Sequence, residues 1–263
     1  MELGLQGKVA IVAAASKGLG FAVASELARE GAEIAICART AADLERAAGI
    51  IEQETGRVVL RQPLDVTDAA LVRKFVEAVE KRYGRVDICV TNTGGPPAKN
   101  FAQLSADDWS SAIDQMLMSA VYFAGEVLPR MRQNRWGRMI TITSVSVKQP
   151  IDGLLLSNSI RAAVAGLART LANEYGPDGI TVNNVCPGYT LTDRLDGLAA
   201  KLALDSGVPR QAIYERWSEQ IPLRRLARPE EFAAVVAFLA SERAGYINGV
   251  SLPVDGGWAR GLL

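Results

Sequence analysis

The sequence Gly137-Arg-Met-Ile-Thr-Ile-Thr-Ser144, together with the segment that follows it as far as Tyr175, decides the fold class. The first part is rich in β-branched and apolar residues, as a central strand of a parallel sheet must be when both of its faces are buried. It ends in hydroxyl side chains, where open α/β sheets place their ligand crevice. A short loop and a long helix, predicted to begin near Gly153, follow. We therefore expect a central strand and its crossover helix, with candidate chemistry where the strand ends.

Three polar side chains of this unit could meet at the strand end. Ser144 closes the predicted strand, and Ser157 and Arg161 lie four residues apart in the predicted helix. Residues with that spacing share one helix face. Two hydroxyls and a fixed cation would then converge. The alternative is that Ser157 and Arg161 are packing or surface residues.

Apolar, strand-like runs alternate with segments of helical periodicity along the rest of the chain. The predicted strands are 9–13, 33–38, 58–62, 86–91, 138–144, 181–185 and 250–254. The predicted helices are 18–29, 41–54, 68–82 with Asp65 or Thr67 as its cap, 106–134, 153–175 and 230–241. Strands joined by crossover helices predict an α/β protein, a doubly wound Rossmann fold with a seven-stranded parallel sheet. We expect one domain over residues 1–263, with a substrate lid at about 189–228.

The composition excludes several classes of function. The chain has 29 basic and 29 acidic residues and no histidine. Without net charge there is no field to gather nucleic acid or an anionic membrane, so we expect neither partner. Without histidine, a Ser–His dyad and a typical His-bearing zinc site are both impossible, and no metal site is predicted.

The remaining compositional features favour a cytoplasmic location. The N-terminus lacks a basic region followed by an apolar run, and no apolar segment reaches about 18 residues. The three cysteines are far apart and odd in number, which suits reduced core residues better than disulfides.

The first strand-to-helix turn, Ala13-Ala-Ala-Ser-Lys-Gly-Leu-Gly20, carries a phosphate-binding signal. A Gly-rich loop that follows a strand and opens a helix can hold a pyrophosphate at the helix N-terminus. Ala14 stands where the first glycine is expected, which costs about 1–2 kcal/mol if the position needs a left-handed backbone. The alternative is a tight turn without a ligand. The candidate cofactor-binding residues of this turn are Ala14, Ser16, Lys17, Gly18, Leu19 and Gly20.

The end of the second strand indicates which dinucleotide the turn would hold. An acidic side chain about 20 residues past the loop would bind the ribose hydroxyls of NAD. Arg39 stands there instead, with Lys17 as a possible second cation. Because a guanidinium can pair with a phosphate through two hydrogen bonds, NADP(H) is the expected cofactor. The alternative is that both are ordinary solvated charges.

Further short motifs occur along nearly the whole chain. They are the turn at 13–20, Leu64-Asp-Val66, Asn92-Thr-Gly94, Gly137-Arg138 to Ser144, Glu174-Tyr-Gly176, Val182-Asn183, Pro187-Gly188, Arg228-Pro-Glu-Glu231 and Val254-Asp-Gly-Gly257. With them the sequence resembles the short-chain dehydrogenase/reductase family, nearest to its 3-oxoacyl-carrier-protein reductase-like members. The resemblance implies that Asp65 and Val66 border the adenine and that Asn92 and Gly94 line the cofactor cleft. It also implies that Pro187 and Gly188 pass the nicotinamide, with Thr190 and Thr192 as carboxamide or phosphate partners.

The resemblance fails at the catalytic set. The family's usual residues are an Asn in the long helix, a Ser after the fifth strand, and a Tyr and a Lys four apart on the next helix. Ser144 matches, whereas Met116, Ser157 and Arg161 occupy the other three positions. A Tyr has a reference pKa of about 10 and can be activated by a nearby cation, but an alkyl hydroxyl starts far higher. Arg161 stays charged and is a poor proton donor, although it could hold a ribose.

Two other side chains could replace the missing acid. Lys148 follows Ser144 on the loop that leaves the strand, and Tyr189 follows Pro187-Gly188 on the opposite wall. A lysine desolvated near a nicotinamide could reach a useful pKa. Either residue could equally be a solvated loop side chain. The predicted catalytic residues are Ser144, Lys148, Ser157 and Arg161.

Three functions stay open. The first is an NADP(H)-dependent oxidoreductase for a carbonyl or alcohol with a rebuilt acid, favoured by the nearly complete cofactor site. The second is a catalytically degenerate NADP(H)-binding or regulatory protein, favoured by the altered catalytic set. The third is a lyase or isomerase that uses the same crevice. The apolar runs 95–97 and 154–156 suggest a small-molecule substrate with an apolar part, although a helix core explains the leucines as well.

A homo-oligomer, most simply a tetramer, is also expected. The helices at 106–134 and 153–175 carry apolar or small residues around more of their circumference than one sheet face can cover. The small residues of the second helix are Ala162, Ala163, Ala165, Gly166 and Ala168. The family resemblance implies that these helices pair between subunits.

Overall fold

All seven predicted strands form, and they pair side by side into one parallel sheet. The computed structural model describes residues 2–261 and contains β1 (Val9–Ala13), β2 (Glu33–Ala38), β3 (Leu60–Pro63), β4 (Ile88–Thr91), β5 (Gly137–Ile142), β6 (Ile180–Pro187) and β7 (Ser251–Val254). The sheet order is β3-β2-β1-β4-β5-β6-β7, and every neighbouring pair is parallel. The predicted α/β Rossmann fold is confirmed.

Helices cover both faces of the sheet. They are α1 (Gly18–Arg29), α2 (Ala41–Thr55), α3 (Ala69–Tyr83), α4 (Ala106–Ala112), α5 (Ser119–Asn134), α6 (Leu155–Tyr175), α7 (Asp193–Ser206), α8 (Arg210–Gln220) and α9 (Pro229–Ala240). Apolar side chains of α1, α2 and α9 pack on one face, and those of α3, α5 and α6 pack on the other. Because both faces are buried, the strands read as continuous apolar runs. In the described range 2–261, no helix is long and apolar enough to cross a bilayer.

The predicted helix at 106–134 is interrupted. Between α4 and α5, residues Ile113–Met118 form a π-helical segment, with Met116 buried inside it. A π segment shifts the helix register while keeping the backbone nearly helical, so hydrophobic spacing alone does not reveal it. Such segments are frequent at functional sites.

The starts of helices α3 and α6 also differ from the prediction. Asp68, not Asp65 or Thr67, caps α3, because its Oδ1 accepts from the N–H groups of Ala70 and Leu71. Asp65 instead accepts from the N–H and hydroxyl of Thr67 in its own turn. Helix α6 begins at Leu155 because Gly153 has a φ of 73°, which no residue of a right-handed helix adopts.

The ends of several strands shift by one or two residues. β3 and β4 begin two residues later than predicted, and β5 ends at Ile142, so Ser144 lies just beyond the strand. β6 is longer at both ends than the predicted 181–185. These shifts leave each strand's carboxyl end, and the residues that follow it, on the same edge of the sheet.

The backbone of the turn at 13–20 is strained at Ala14. Ala14, which stands where the first glycine of the turn is expected, has a φ of 49°, in the left-handed region. For a residue with a Cβ this conformation costs about 1–2 kcal/mol relative to a right-handed one.

We predict that Ala14→Gly raises the free energy of unfolding by about 1 kcal/mol, because glycine adopts this backbone without strain. Ala78→Gly, in the regular helix α3, is the control and should lower it by about 1 kcal/mol. Urea denaturation of both variants measures the two changes. If Ala14→Gly and Ala78→Gly lower the free energy of unfolding equally, the turn does not strain Ala14.

Candidate active site

The turn between β1 and α1 forms one wall of a crevice at the carboxyl ends of β1 and β4. A Cβ on Gly20 would collide with the carbonyl of Ala14, so only glycine lets the first turn of α1 come this close to the strand end. From the β4 side, Asn92 donates its Nδ2 hydrogen to the same carbonyl, at 3.5 Å. Because α1 begins here, its unpaired backbone N–H groups can accommodate an anion such as a pyrophosphate.

Two cations lie at the β2 side of this turn. Arg39 follows β2 and Lys17 precedes α1, and both are exposed. Within residues 2–261 neither forms an ion pair, whereas nearby Arg46 pairs with Asp43. They are therefore available to a phosphate group of a bound dinucleotide.

The opposite wall consists of residues 187–192, which leave β6. Gly188 is held by its N–H, which donates to the carbonyl of Val254 on β7 at 3.0 Å. Thr190 is buried, and the Oγ1 of Thr192 caps α7 by accepting from the N–H of Leu195. The side chain of Thr192 also lies against Gly18, which brings this wall to the phosphate turn. The structure thus brings together most of the predicted cofactor residues.

Ser144 stands past the end of β5, with its backbone extended. Its Oγ accepts from the N–H of Ser146 at 3.1 Å, which closes the one-turn helix Val145–Val147. The hydroxyl hydrogen remains free to donate to a ligand. Lys148 ends the same turn and is half-buried.

Arg161 reaches the end of β5 from α6, as its spacing from Ser157 predicted. Its Nη1 donates to the carbonyl of Ile142 at 3.1 Å, and the residue is 8% exposed. Burial, with a smaller contribution from the positive charge of Arg194, lowers the pKa of Arg161 to about 10. It therefore keeps its charge at neutral pH.

Ser157 and Met116 are both buried beside Arg161. Met116 packs with Leu156 and Ile160 in a small apolar cluster, which assigns Leu156 to the core and not to a substrate wall. Between Met116, Asn92 and Arg161 only a gap of about 10 Å³ remains. This volume is at the lower limit for a single water molecule. The region therefore offers little room for a chain of waters that could transfer protons.

Comparison with known proteins agrees with this architecture. Residues 13–259 match the family model described as enoyl-(acyl carrier protein) reductase. The 3-oxoacyl-[acyl-carrier-protein] reductase of Pseudomonas aeruginosa is 35% identical over 255 residues, which is 97% of this chain and 98% of that protein. The chain belongs to the short-chain dehydrogenase/reductase family.

Other short-chain dehydrogenases/reductases match over comparable lengths. The monensin polyketide synthase putative ketoacyl reductase of Streptomyces virginiae is 36% identical over 252 residues, which is 95% of this chain and 96% of that protein. The L-sorbose reductase of Gluconobacter frateurii, solved with NADPH and L-sorbose, superposes with a TM-score of 0.95 and 33% identity over 100% of both chains. The expectation of a 3-oxoacyl-carrier-protein reductase-like member of the short-chain dehydrogenase/reductase family is confirmed.

Tyr189, the second candidate acid, is enclosed by aromatic rings. Its ring centroid lies 4.8 Å from that of Trp217 and 4.4 Å from that of Trp258. Burial raises the pKa of Tyr189 to about 12, far from the neutral range in which a general acid works best. In this short-chain dehydrogenase/reductase the phenol is better suited to shaping the wall than to transferring protons.

Residues 189–228 contain two helices, α7 and α8, which pack on each other through Ala199, Ile213 and Trp217. A depression of about 680 Å³ lies on this region, lined by residues such as Tyr214 and Leu226. Leu191, on the wall formed by residues 187–192, is one of its lining residues, whereas Ser144 is not.

The sequence reading missed Arg194. Its Nη1 donates to the carbonyl of Gly95, on the loop after β4, at 3.2 Å. Its position two residues after Thr192 places it beside the predicted cofactor wall, and that proximity could have singled it out. The contact with Gly95 joins residues 99 apart in the chain and has no local signal.

We predict that Arg161→Met leaves the free energy of unfolding unchanged or raises it by about 1 kcal/mol, because it removes a buried charge that has no acidic partner within residues 2–261. The control is Arg138→Met. Arg138 is as deeply buried, but it donates to the carbonyls of Ser241 and Gly137 and stacks on Trp136. Arg138→Met should lower the free energy of unfolding by about 2 kcal/mol or more. Urea denaturation measures the free energy of unfolding of both variants, and equal decreases in the two would contradict the prediction.

Proposed function

We propose that the protein is an NADP(H)-dependent oxidoreductase that interconverts a carbonyl compound and its alcohol. The observation that carries the proposal is the crevice in which the phosphate turn, the unpaired cations Arg39 and Lys17, and the hydroxyl of Ser144 lie along one sheet edge. The NADPH complex of the related L-sorbose reductase supports the same cofactor. When bound, the nicotinamide supplies or accepts the hydride.

The proposed cofactor contacts run from one end of the crevice to the other. The phosphate turn, Ala14, Ser16, Lys17, Gly18, Leu19 and Gly20, holds the pyrophosphate, and Arg39 with Lys17 holds the ribose phosphate. Asp65 and Val66 border the adenine, and Asn92 and Gly94 line the floor. Pro187 and Gly188 pass the nicotinamide, Thr190 and Thr192 bind its carboxamide or a phosphate, and Arg161 orients its ribose. The glycine-dependent approach of α1 to Ala14 and the contact of Thr192 with Gly18 support this placement.

The proposed chemistry uses Ser144 and Lys148. Ser144 donates a hydrogen bond to the carbonyl oxygen, since its Oγ accepts from the N–H of Ser146 and this leaves the hydroxyl hydrogen for the ligand. During reduction the ammonium of Lys148 gives a proton to that oxygen as the hydride reaches the carbon, and during oxidation it takes the proton back. Ser157 is too short to replace a tyrosine at this oxygen. Residues 189–228 serve as the lid that closes over the substrate.

The second candidate is a catalytically degenerate NADP(H)-binding or regulatory protein. The gap of about 10 Å³ beside Met116 favours it, because that volume is too small for a chain of waters to replace the usual Asn there. The two candidates share the cofactor and differ only in whether turnover occurs.

We further propose a cytoplasmic homotetramer. The exposed small residues Ala162, Ala163 and Gly166 on α6 offer a surface on which a second helix can pack closely. The three cysteines are unpaired and buried, as is usual in a reducing compartment. Light scattering at micromolar concentration should give about four times the mass of one chain, and a monomer mass would end this idea.

We predict that NADPH binds more tightly than NADH, and that Arg39→Asp weakens NADPH binding about 10- to 100-fold, because a charge-assisted phosphate contact is worth about 1.5–3 kcal/mol. Lys74→Asp, an exposed charge reversal on α3, is the control and should change neither affinity. Fluorescence titration measures both cofactors. Tighter NADH binding by the unmodified protein would refute the assignment.

We predict that Lys148→Ala lowers turnover by about 10²- to 10⁴-fold, the usual cost of removing a general acid. Affinity for NADPH should stay within a few-fold, and Ser157→Ala should have almost no effect on either. Steady-state reduction of ketones, followed by NADPH absorbance, measures the changes. Strong activity that survives Lys148→Ala would make Tyr189→Phe the next variant to test.

The degenerate alternative has its own test, made by combining Met116→Asn, Ser157→Tyr and Arg161→Lys. If the unmodified chain reduces no simple ketone and the triple variant does, the active site has been lost and not rebuilt. If the triple variant is less active than the unmodified chain, the native residues form a working site of their own.

A further inference from the structure

Residues 189–228 carry a cavity that the proposed reaction does not use. It is the depression of about 680 Å³, a volume within the range of small-molecule binding sites. None of the described residues that line it belongs to the proposed cofactor contacts or to the proposed catalytic set. A ligand held there would be a second small molecule, distinct from the cofactor and from the substrate.

One side of the cavity is apolar. Leu191 and the ring of Tyr214 line it together with Leu226, which is 8% exposed. The hydroxyl of Tyr214 donates to Asp196 at 2.9 Å, and the ring lies edge-on against Trp217, so its position is fixed. The apolar part of a ligand would meet a preformed surface here, and each methylene group that it buries strengthens binding about three- to fourfold.

The other side of the cavity is basic. It is lined by Arg224, Arg225 and Arg228, and none of the described lining residues is acidic. Beside the cavity, Glu231 accepts from both terminal nitrogens of Arg225, at 2.7 and 2.6 Å, and lies 3.7 Å from the Nε of Arg228. One carboxylate thus serves two of the three arginines, and the cavity keeps an excess of positive charge.

Arg224 forms no ion pair in the described part of the chain. Its Nη1 donates to the carbonyl of Glu219 near the end of α8, at 2.7 Å, and this leaves the other nitrogens of the guanidinium for a ligand. The backbone of Arg224 has a φ of 57°, in the left-handed region, which is unfavourable for a residue with a Cβ. Backbone strain of this kind is concentrated at ligand sites, where the surrounding structure holds it in place.

This combination of surfaces selects the kind of ligand. A guanidinium binds a carboxylate through two parallel hydrogen bonds. A single exposed ion pair contributes little to affinity, so an inorganic anion that touched only the arginines would bind weakly. An anion with an apolar tail also covers the apolar side, and it is therefore the ligand that fits both surfaces.

Backbone hydrogen bonds join the cavity to the cofactor wall. The N–H of Leu191 donates to the carbonyl of Ala227 at 2.9 Å, and the N–H of Ala227 donates to the carbonyl of Tyr189 at 3.0 Å. These bonds pair the arginine-bearing loop with the segment that contains Thr190 and Thr192. A ligand that contacts both the loop and Leu191 would stabilise this arrangement of the wall.

We propose that the cavity is an effector site for an amphipathic carboxylate, whose head group is bound by Arg224 and Arg228 and whose tail lies on Leu191 and Leu226. Its occupation strengthens NADPH binding by stabilising residues 187–192. The effect on NADPH rests on the proposed cofactor contacts of that wall, whereas the carboxylate site does not. Linkage requires that NADPH strengthen carboxylate binding by the same factor.

The first test is calorimetric titration of the protein, without NADPH, with hexanoate, octanoate and the neutral octan-1-ol. Octanoate should bind with one molecule per chain and up to about tenfold more tightly than hexanoate, because it buries two more methylene groups. Octan-1-ol should bind at least about tenfold more weakly than octanoate, because it lacks the charge-assisted contacts.

Two kinds of variant locate the bound octanoate. Arg224→Gln combined with Arg228→Gln should weaken octanoate binding about tenfold or more, whereas Arg216→Gln, an exposed arginine of α8 outside the cavity lining, should not. Gln211→Trp fills the cavity from an exposed position of α8 without changing its charge and should abolish binding. Gln220→Trp, at the other end of the same helix, is its matched control and should bind octanoate normally.

Three results would overturn the carboxylate site. They are the absence of saturable octanoate binding, equal affinity for octanoate and octan-1-ol, and octanoate binding that survives Gln211→Trp. The last result would place octanoate elsewhere, for example in the cofactor crevice.

A second titration tests the effect on the cofactor. Saturating octanoate should strengthen NADPH binding about fivefold or more, and Gln211→Trp should remove this effect. Octanoate that binds in the cavity and leaves NADPH affinity unchanged would support the site and overturn its coupling to the crevice. If the protein does not bind NADPH at all, the proposed cofactor role fails, and the titration without NADPH still decides whether the carboxylate site exists.

Discussion

The reversal of strand order between β1 and β4 is the constraint on which the rest of this structure depends. From β1 the chain adds β2 and β3 on one side, and then returns to add β4 to β7 on the other. The connections that follow β1 and β4 therefore diverge, and a crevice opens between them at the carboxyl edge of the sheet. Because all strands are parallel, the phosphate turn, Arg39, Ser144 and residues 187–192 reach the same edge. The position of the site is thus a consequence of the topology.

A buried polar network holds the catalytic side of that edge in register. The Oδ1 of Asn184 on β6 accepts hydrogen bonds from Thr141 and Thr143, and its Nδ2 donates to Ser251 on β7. An amide buried without partners would cost several kcal/mol, so only one alignment of these strands is favourable. That alignment fixes where Ser144 and Pro187 leave their strands.

The two halves of the crevice meet different physical requirements. The cofactor half keeps the close approach of backbone to backbone that a pyrophosphate needs, and it tolerates a strained Ala14 in order to do so. The other half contains the buried residues Met116, Ser157 and Arg161. A buried arginine whose pKa falls to about 10 is a cost to the folded state.

Much of the fold could be predicted from the sequence alone, because it is encoded in local patterns. Alternation of apolar strands with periodic helices determined the parallel sheet, and the spacing of Ser157 and Arg161 placed both side chains on one helix face. The glycines of the first turn indicated where a phosphate would bind, and Ala14 indicated where the backbone would be strained.

Features that depend on contacts between distant segments were decided only by the tertiary structure. The π segment at Ile113–Met118 is invisible to periodicity, because it changes the register of a helix without changing which residues are apolar. Tyr189 has a raised pKa because Trp217 and Trp258 enclose it, and Arg194 gains its place in the crevice from a carbonyl 99 residues away. Charges and pKa values at such a site depend on burial and on neighbours, which the order of residues in the chain does not reveal.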